Sequence, residues 1–377
     1  MQLGRHALIL ATLIAPSLHA QDSVSFEVLS YEEGDDRVSA QAVNLGINKD
    51  FGVDYHLYLN GKIDHVSGAS PTWKEGTDTV SGASESTVVT GDPVFGNVAF
   101  DDDRYSGEAV LTVRGAKRDE TSIGIGGSME SDYLSRRLFV NRMVYEDANH
   151  NRSYSYGASL SDSLIVVPAG NQIDTTSGAS SVENATALMA HGGMTQVISR
   201  NAHATFGLAI QQESGYLNNN YKKIVRQSGS TLILSPDSRP DSRTGWAVSG
   251  EYAQYLPGLL TTVHLGYRYY RDDWSICSDT VDLAFDYEPN KTWTVSPFWR
   301  RYSQSRADFY SDGYFGTTTA DEFGSSDERL SAFDAHTYGL HAKLKEADIA
   351  YKGMINYYEQ TTGLEAWVIS VGIEQEF

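Results

Sequence analysis

The chain has 377 residues, a formal net charge of −20 and a composition rich in glycine (34) and tyrosine (23). The acidic balance argues against a nucleic-acid-binding protein, because phosphate backbones are bound by basic surfaces. The single cysteine, Cys277, excludes an internal disulfide, a CxxC redox pair and a CxxCH haem site.

The N-terminal segment, 1–20, has the layout of a secretory signal peptide. Arg5 gives a positive start, an apolar run follows at 7–15, and Ser-Leu-His-Ala at 17–20 can serve as a cleavage site. A buried N-terminal helix is the alternative. We expect the segment to be removed and residues 21–377 to form a single exported domain.

Beyond this segment, apolar and polar side chains alternate along much of the chain. In 53–60, 262–270 and 293–300 the odd positions are mostly apolar or aromatic and the even positions mostly polar. Side chains alternate across a β-strand, so each segment has one apolar and one polar face. A soluble sandwich gives the same alternation, because one face of each of its sheets is buried.

Three features favour a membrane barrel over a soluble sandwich. The segments run to about ten residues or more, which suits a tilted span of a bilayer. Short turns, such as 117–120 and 288–291, alternate with long polar loops. The last strand, 367–377, alternates up to a terminal Phe377 and resembles the C-terminal signal of outer-membrane barrels. The predicted fold class is therefore all-β: a transmembrane antiparallel barrel of about 16 strands (14–18) in the outer membrane of a Gram-negative bacterium.

The order of strands and turns also predicts sidedness. Strands are expected near 22–32, 37–49, 53–65, 103–116, 120–133, 136–147, 152–166, 183–199, 203–215, 243–255, 260–273, 277–287, 292–308, 330–345, 349–358 and 364–377. If the last strand runs toward the periplasm, the tight turns are periplasmic and the long loops extracellular. These loops are expected at about 66–102, 167–182, 216–242 and 309–329.

One heptad, Asp-x-x-Ser-Gly-Ala-Ser, occurs three times, at 64–70, 78–84 and 174–180. A single Ser-Gly-Ala-Ser is expected by chance only ~0.03 times in a chain of this composition, and the shared Asp lowers that further. Three copies therefore need an explanation. A structural repeat, with each copy forming the same turn, is one. All three are expected at strand ends or in loops on the extracellular side.

The heptad resembles the acceptor motif of flavin transferases, which attach FMN covalently to exported proteins. The resemblance implies FMN joined by a phosphoester to the last hydroxyl residue of each copy, with the aspartate as the upstream acidic position. The implied cofactor-binding residues are Ser70, Ser84, Ser180, Asp64, Asp78 and Asp174. The family more often has Thr at the acceptor position, whereas this chain has Ser in all three copies.

The transferase acts in the periplasm, whereas the predicted loops are extracellular. Modification would therefore have to precede barrel insertion, or the topology is inverted, or the loops fold into the lumen. The chain as a whole also resembles an outer-membrane family catalogued only as a domain of unknown function. The shared features are the N-terminal signal, the heptad with its proline at 64–71, Glu-x-Asp-Tyr-x-Ser-Arg at 130–136, and the terminal strand.

The preferred hypothesis is a barrel carrying up to three FMN groups for extracytoplasmic electron transfer. Its expected partners are membrane lipid, the barrel assembly machinery, a periplasmic flavin transferase and an unknown redox partner. Inward-pointing Tyr58, Tyr270 and Tyr302 could stack on isoalloxazine rings or simply line the lumen. An unmodified porin for small solutes and an outer-membrane hydrolase are the alternatives. Neither a catalytic nor a metal site is predicted, because HExxH and GxSxG are not present in the sequence.

Overall fold

The computed structural model describes residues 22–35, 37–81, 86–146, 150–169, 180–228, 230–317 and 323–377. Its strands are β1 (Ser23–Glu33), β2 (Val38–Phe51), β3 (Tyr55–Ser81), β4 (Ser86–Arg114), β5 (Glu120–Met129), β6 (Tyr133–Tyr145), β7 (Arg152–Val167), β8 (Ser181–Ser199), β9 (Ala202–Gly215), β10 (Lys223–Ser228), β11 (Thr231–Pro236), β12 (Ser242–Leu256), β13 (Thr261–Asp272), β14 (Cys277–Tyr287), β15 (Trp293–Gln304), β16 (Tyr314–Thr317), β17 (Phe333–Glu346), β18 (Ile349–Gln360) and β19 (Glu365–Glu376). Short 3₁₀ turns lie at Pro257–Leu259 and Glu328–Leu330. Within these ranges, no helix has the length and apolar character needed to cross a membrane. The predicted signal peptide lies outside the described residues.

Sixteen of these strands close into one antiparallel barrel, so the predicted fold class and strand number are confirmed. Neighbours in sequence are neighbours in the ring, except where β10, β11 and β16 leave the wall, and β1 pairs with β19 to close it. Closure satisfies the backbone polar groups of every strand, which a sheet in lipid requires.

The outer surface of the barrel is apolar and its inner surface polar. On β19 the outward Ile369 and Val371 are 47% and 61% exposed, whereas the inward Ser370 and Glu374 are buried. Outward-facing aromatic residues lie toward both ends of the wall. One end has Tyr105, Trp246, Tyr338 and Trp367, and the other has Tyr55, Tyr287, Trp293 and Tyr351. An apolar band between two aromatic girdles is the lipid-facing surface of an outer-membrane barrel. The protein is thus a barrel of the Gram-negative outer membrane.

The two ends of the barrel differ in the length of their connections. One end has tight turns and both described termini, where the Phe377 amide donates to the Asp22 carbonyl over 2.9 Å. The other end has the longest connections, which follow β7, β9 and β15. Short turns are periplasmic and long loops extracellular in such barrels. We call the end with the long connections the mouth.

The predicted loop at 66–102 is wrong, because this segment is β-structure. β3 and β4 pair with each other along almost their whole length, from Tyr55↔Val113 to Ser81↔Ser86. Their ring neighbours do not extend as far, since β2 begins at Val38 opposite Gly68 and β4 pairs with β5 only from Tyr105 onward. The two strands therefore project beyond the wall as a hairpin. The backbone ladder continues there although the side chains no longer alternate, which is why the sequence pattern did not show it.

Two further predicted loops, 216–242 and 309–329, contain a second sheet. β10 pairs antiparallel with β11 and parallel with β16. Ile224 and Val225 on β10 are completely buried. Two short segments with apolar residues, 224–225 and 232–234, separated by Ser-Gly-Ser at 228–230, were the signal in the sequence that could have predicted this hairpin. The predicted loop at 167–182 is described only at its ends.

Gly68 is required where β2 meets the projecting hairpin. Its φ is 146°, and a Cβ there would overlap the Arg37 carbonyl oxygen and lie 2.7 Å from the Val38 Cα. Gly68→Ala is expected to lower the free energy of unfolding by about 2–3 kcal/mol, measured by urea unfolding in detergent micelles. Gly61→Ala on the same strand, with nothing within 4 Å of its Cβ position, is the control and should change it by about 0.5 kcal/mol at most. Equal losses in both variants would contradict this role.

Candidate functional site

The mouth of the barrel is spanned by a folded cap, which we define as the described residues 216–228, 230–241, 305–317 and 323–332. The cap carries β10, β11 and β16 and extends from β9 and β15 to strands far around the ring. The Lys222 ammonium donates to the Pro71 carbonyl on β3, and the Lys223 amide donates to the Thr72 hydroxyl over 2.9 Å. These contacts join opposite sides of the barrel across its mouth.

Further contacts hold the cap to the rim between these points. The Tyr221 hydroxyl donates to Asp132 in the β5–β6 turn over 2.7 Å. Glu328 accepts a hydrogen bond of 2.9 Å from Arg37 in the β1–β2 turn. An apolar cluster seals the cap against the strand ends, and it contains Ile165, Val167, Ala185, Leu217, Trp274, Ile276, Ala307 and Leu330. The cap is thus attached around most of the rim.

A buried ionic cluster joins the two segments of the cap. Arg239 donates to Asp237 over 2.6 Å and to Asp327 over 2.8 Å, and both carboxylates are about 1% exposed. Burial raises the pKa of the Asp237 carboxyl. Burial acts on Asp327 in the same direction, but the guanidinium groups of Arg329 and Arg239 outweigh it and hold the pKa of Asp327 well below its usual range. Breaking this cluster would leave a buried charge without a partner.

The first heptad copy begins inside the barrel wall. Asp64 points into the lumen, is 3% exposed and accepts hydrogen bonds from Arg104 at 2.8 Å, with an ion pair to Lys62 at 2.7 Å. Its acceptor, Ser70, lies on β3 opposite Val98 of β4. The barrel therefore uses the Asp of this copy structurally, and the Gly of this copy is the strained Gly68.

The other two copies are described only in part. Residues 78–81 continue β3 in the projecting hairpin, and Ser84 lies outside the described residues, as does Asp174. Ser180 directly precedes β8 at the mouth, and its side chain is exposed. The structure thus places the first copy and residues 78–81 of the second on one hairpin, while Ser180 of the third precedes a strand on the opposite side of β5, β6 and β7.

The three predicted acceptor positions differ in their accessibility to a modifying enzyme. A transferase must bring the hydroxyl into its own active site, which requires an accessible and flexible backbone. Ser180 meets the requirement of access in the folded protein. Ser70 does not, since its strand is paired in the ladder with β4. A modifying enzyme would therefore reach the backbone of residues 64–70 only in a chain that has not yet folded.

Sequence reasoning missed an acidic cluster at the mouth. Asp102, Glu130 and Asp132 place one carboxylate oxygen each within 4.8 Å of one another. Burial raises the pKa of Glu130, and the charges of Asp102 and Asp132 raise it further, while Arg104 acts in the opposite sense. Carboxylate oxygens are the ligands that Ca²⁺ prefers. Two members belong to the stretch 130–136, whose spacing was visible in the sequence although its convergence with Asp102 was not.

The lumen wall carries the inward tyrosines that the sequence predicted. Tyr58, Tyr270 and Tyr302 occupy lumen-facing positions of β3, β13 and β15. Each lies opposite a polar residue of one neighbouring strand, namely Asn48, Ser278 and Thr280. Tyr270 packs against the apolar cluster of the cap and donates to Asp272 over 2.9 Å. At least this tyrosine therefore supports the mouth of the barrel as well as lining the lumen.

Comparisons with known proteins identify a family but no activity. A model of the family described as "Protein of unknown function (DUF3570)" matches residues 6–374. Among curated proteins, none matches the sequence.

Several solved structures are similar to the chain. The ferric enterobactin receptor PfeA of Pseudomonas aeruginosa, in complex with BCV-L6, gives a TM-score of 0.47 at 11% identity, over 90% of this chain and 54% of the receptor. CdiB from Acinetobacter baumannii gives 0.43 at 11% identity, over 81% and 66%. OmpT of Vibrio cholerae, with loop L8 deleted, gives 0.45 at 10% identity, over 94% and 98%. The chain spans about half the length of the PfeA structures that it matches.

Proposed function

The chain belongs to the DUF3570 family of proteins of unknown function, and we propose that it is an outer-membrane barrel that carries covalently bound FMN for extracytoplasmic electron transfer. The observation that carries the proposal is the heptad, repeated three times with the same Asp offset. When bound, FMN supplies redox chemistry that the side chains of a protein do not provide. A covalent bond keeps the flavin in a compartment from which a loosely held cofactor would diffuse away.

In the attachment reaction the acceptor serine supplies the nucleophile. Its hydroxyl oxygen attacks the phosphorus on the FMN side of the FAD diphosphate, a phosphoester bond forms, and the bond to the AMP half breaks. A base in the transferase takes the hydroxyl proton, because an unassisted hydroxyl is a weak nucleophile. Small residues in the heptad, such as Gly178 and Ala179 before Ser180, allow the backbone to approach the transferase closely.

The proposal includes an order of events. The transferase is periplasmic, and the chain crosses the periplasm before it folds into the outer membrane. Modification at Ser70 therefore precedes barrel assembly, because Ser70 is held in the β3–β4 ladder afterwards. The transferase and the barrel assembly machinery would then act on the same unfolded chain in that order.

A channel for small solutes is a second candidate function. The observation that favours it is the lumen of a sixteen-stranded barrel lined by polar and charged residues, a size that leaves an aqueous interior. The cap across the mouth would then control passage. Conductance in planar bilayers, together with a colourless protein, is the result that would favour this candidate over the flavin carrier.

Serine substitutions test the flavin proposal site by site. The protein is produced together with a flavin transferase and denatured, and flavin fluorescence of the gel band is recorded. Each of Ser70→Ala, Ser84→Ala and Ser180→Ala is expected to remove one FMN from the intact mass, and the triple variant to remove all fluorescence. Ser159→Ala is the matched control, because Ser159 ends a Gly-Ala-Ser that lacks the upstream Asp. Undiminished fluorescence in the triple variant would reject these acceptor sites.

A further inference from the structure

One arginine in the lumen differs from its neighbours. Arg268 lies on β13 opposite Ser249 of β12 and Thr280 of β14. The flanking residue Tyr267 faces outward and is 49% exposed, so the alternation of the strand places Arg268 on the inner face. Its position, four residues from the end of β13 at Asp272, is in the part of the lumen nearest the cap.

Two other lumen-facing arginines, Arg243 on β12 and Arg300 on β15, have carboxylate partners. Arg243 donates to Asp272 over 2.8 Å, and Arg300 donates to Asp282 over 2.6 Å. Arg268 has no hydrogen bond or ion pair to a carboxylate among the described residues. Its guanidinium instead lies over the ring of Tyr270, 5.6 Å from the centroid.

A partly exposed guanidinium without a carboxylate partner is available to an anion in the lumen. A planar guanidinium is also the side chain best suited to bind an oxyanion through two parallel hydrogen bonds. The neighbouring positions carry the hydroxyls of Ser249 and Thr280, which are neutral donors. We propose that Arg268 binds the carboxylate or phosphate group of a small anionic solute in the lumen beneath the cap.

The site is connected to the cap through aromatic contacts. Tyr270 packs both against Arg268 and against the apolar cluster of the cap. Arg243 stacks on Trp274 of that cluster, 4.6 Å from the ring centroid. A solute held at Arg268 therefore lies directly under the structure that spans the mouth. This proposal is independent of flavin attachment.

Calorimetric titration tests the site. The full-length barrel, purified in detergent, is titrated with sodium phosphate and separately with sodium acetate in a chloride buffer of constant ionic strength. At least one anion is expected to bind the wild-type barrel, and Arg268→Gln should weaken it at least tenfold, as expected for losing a charge-assisted bidentate contact. Arg271→Gln is the control, because Arg271 is exposed and three residues away on the opposite face. It should leave the affinity unchanged.

Each outcome bears on the proposal. Binding of phosphate alone identifies a phosphoryl site, binding of acetate alone a carboxylate site, and binding of both a general oxyanion site. Absence of binding to the wild type, or equal affinity in Arg268→Gln and the wild type, overturns the proposal. If Arg268→Gln does not fold, Arg268→Lys decides. It keeps the charge but loses the planar geometry, so a loss of about threefold or more supports the site and an unchanged affinity overturns it.

Discussion

Replacing Arg239 by alanine is expected to release the cap while the barrel remains folded. The substitution leaves Asp237 and Asp327 buried without the cation that joins them. Removing one partner of a buried ion pair costs about 3–5 kcal/mol, which is more than any single remaining hydrogen bond between the cap and the rim contributes. The wall should be unaffected, because the ladders of its sixteen strands do not pass through the cluster.

Limited proteolysis of intact cells measures this release. The variant should be cleaved within 216–241 at a protease concentration that leaves the wild type intact, while the heat-modifiable migration of the barrel on gels stays unchanged. Arg301→Ala is the control. Its ion pair with Asp334 is about half exposed on both sides, and exposed pairs contribute about 1 kcal/mol or less. Equal resistance of Arg239→Ala and the wild type would show that the ionic cluster does not hold the cap.

The second large effect is expected on the labelling of Ser70 when a flavin transferase is given the folded barrel instead of the unfolded chain. Purified transferase and FAD should label the urea-unfolded chain at Ser70 and Ser180, but the refolded barrel at Ser180 only. Opening the β3–β4 ladder around Ser70 costs several kcal/mol, so labelling there should fall by at least about a hundredfold. Ser180 precedes β8 and is exposed, so no ladder has to open.

Peptide mass spectrometry of both samples separates the two sites. Labelling of Ser180 in the same folded sample shows that the transferase was active and is the internal control. Equal labelling of Ser70 in folded and unfolded protein would contradict the order of events proposed above, because it would mean that the paired strand is accessible.

The sequence predicts the wall of the barrel well, since the wall depends on a local pattern. Apolar and polar side chains alternate along 262–270 because one face of the strand contacts lipid and the other faces the lumen. This pattern can be read directly from the sequence. The closing strand, 367–377, was identified in the same way. Strand number and orientation then follow from chain connectivity alone.

The mouth was predicted poorly because its contacts are remote in sequence. Asp237 and Asp327 form ion pairs with the same arginine, Arg239, although 90 positions separate them in the sequence. No local sequence pattern predicts such a contact. The projecting hairpin lacks the regular alternation of the wall because it does not separate lipid from lumen, and part of it packs against the cap. The position of Asp64 in an ion pair with Arg104 depends on the register of β3 against β4, which the sequence did not specify. The heptad was therefore detectable as a motif, but its different structural settings were not.

Intact mass of the purified protein tests the central claim most directly. Protein produced in the presence of a flavin transferase is expected to be yellow and heavier than the processed polypeptide by whole FMN units. Without the transferase it should have the mass of the polypeptide alone. A colourless protein with the bare polypeptide mass in both preparations, isolated as a folded barrel, would contradict the proposed flavin-carrying function.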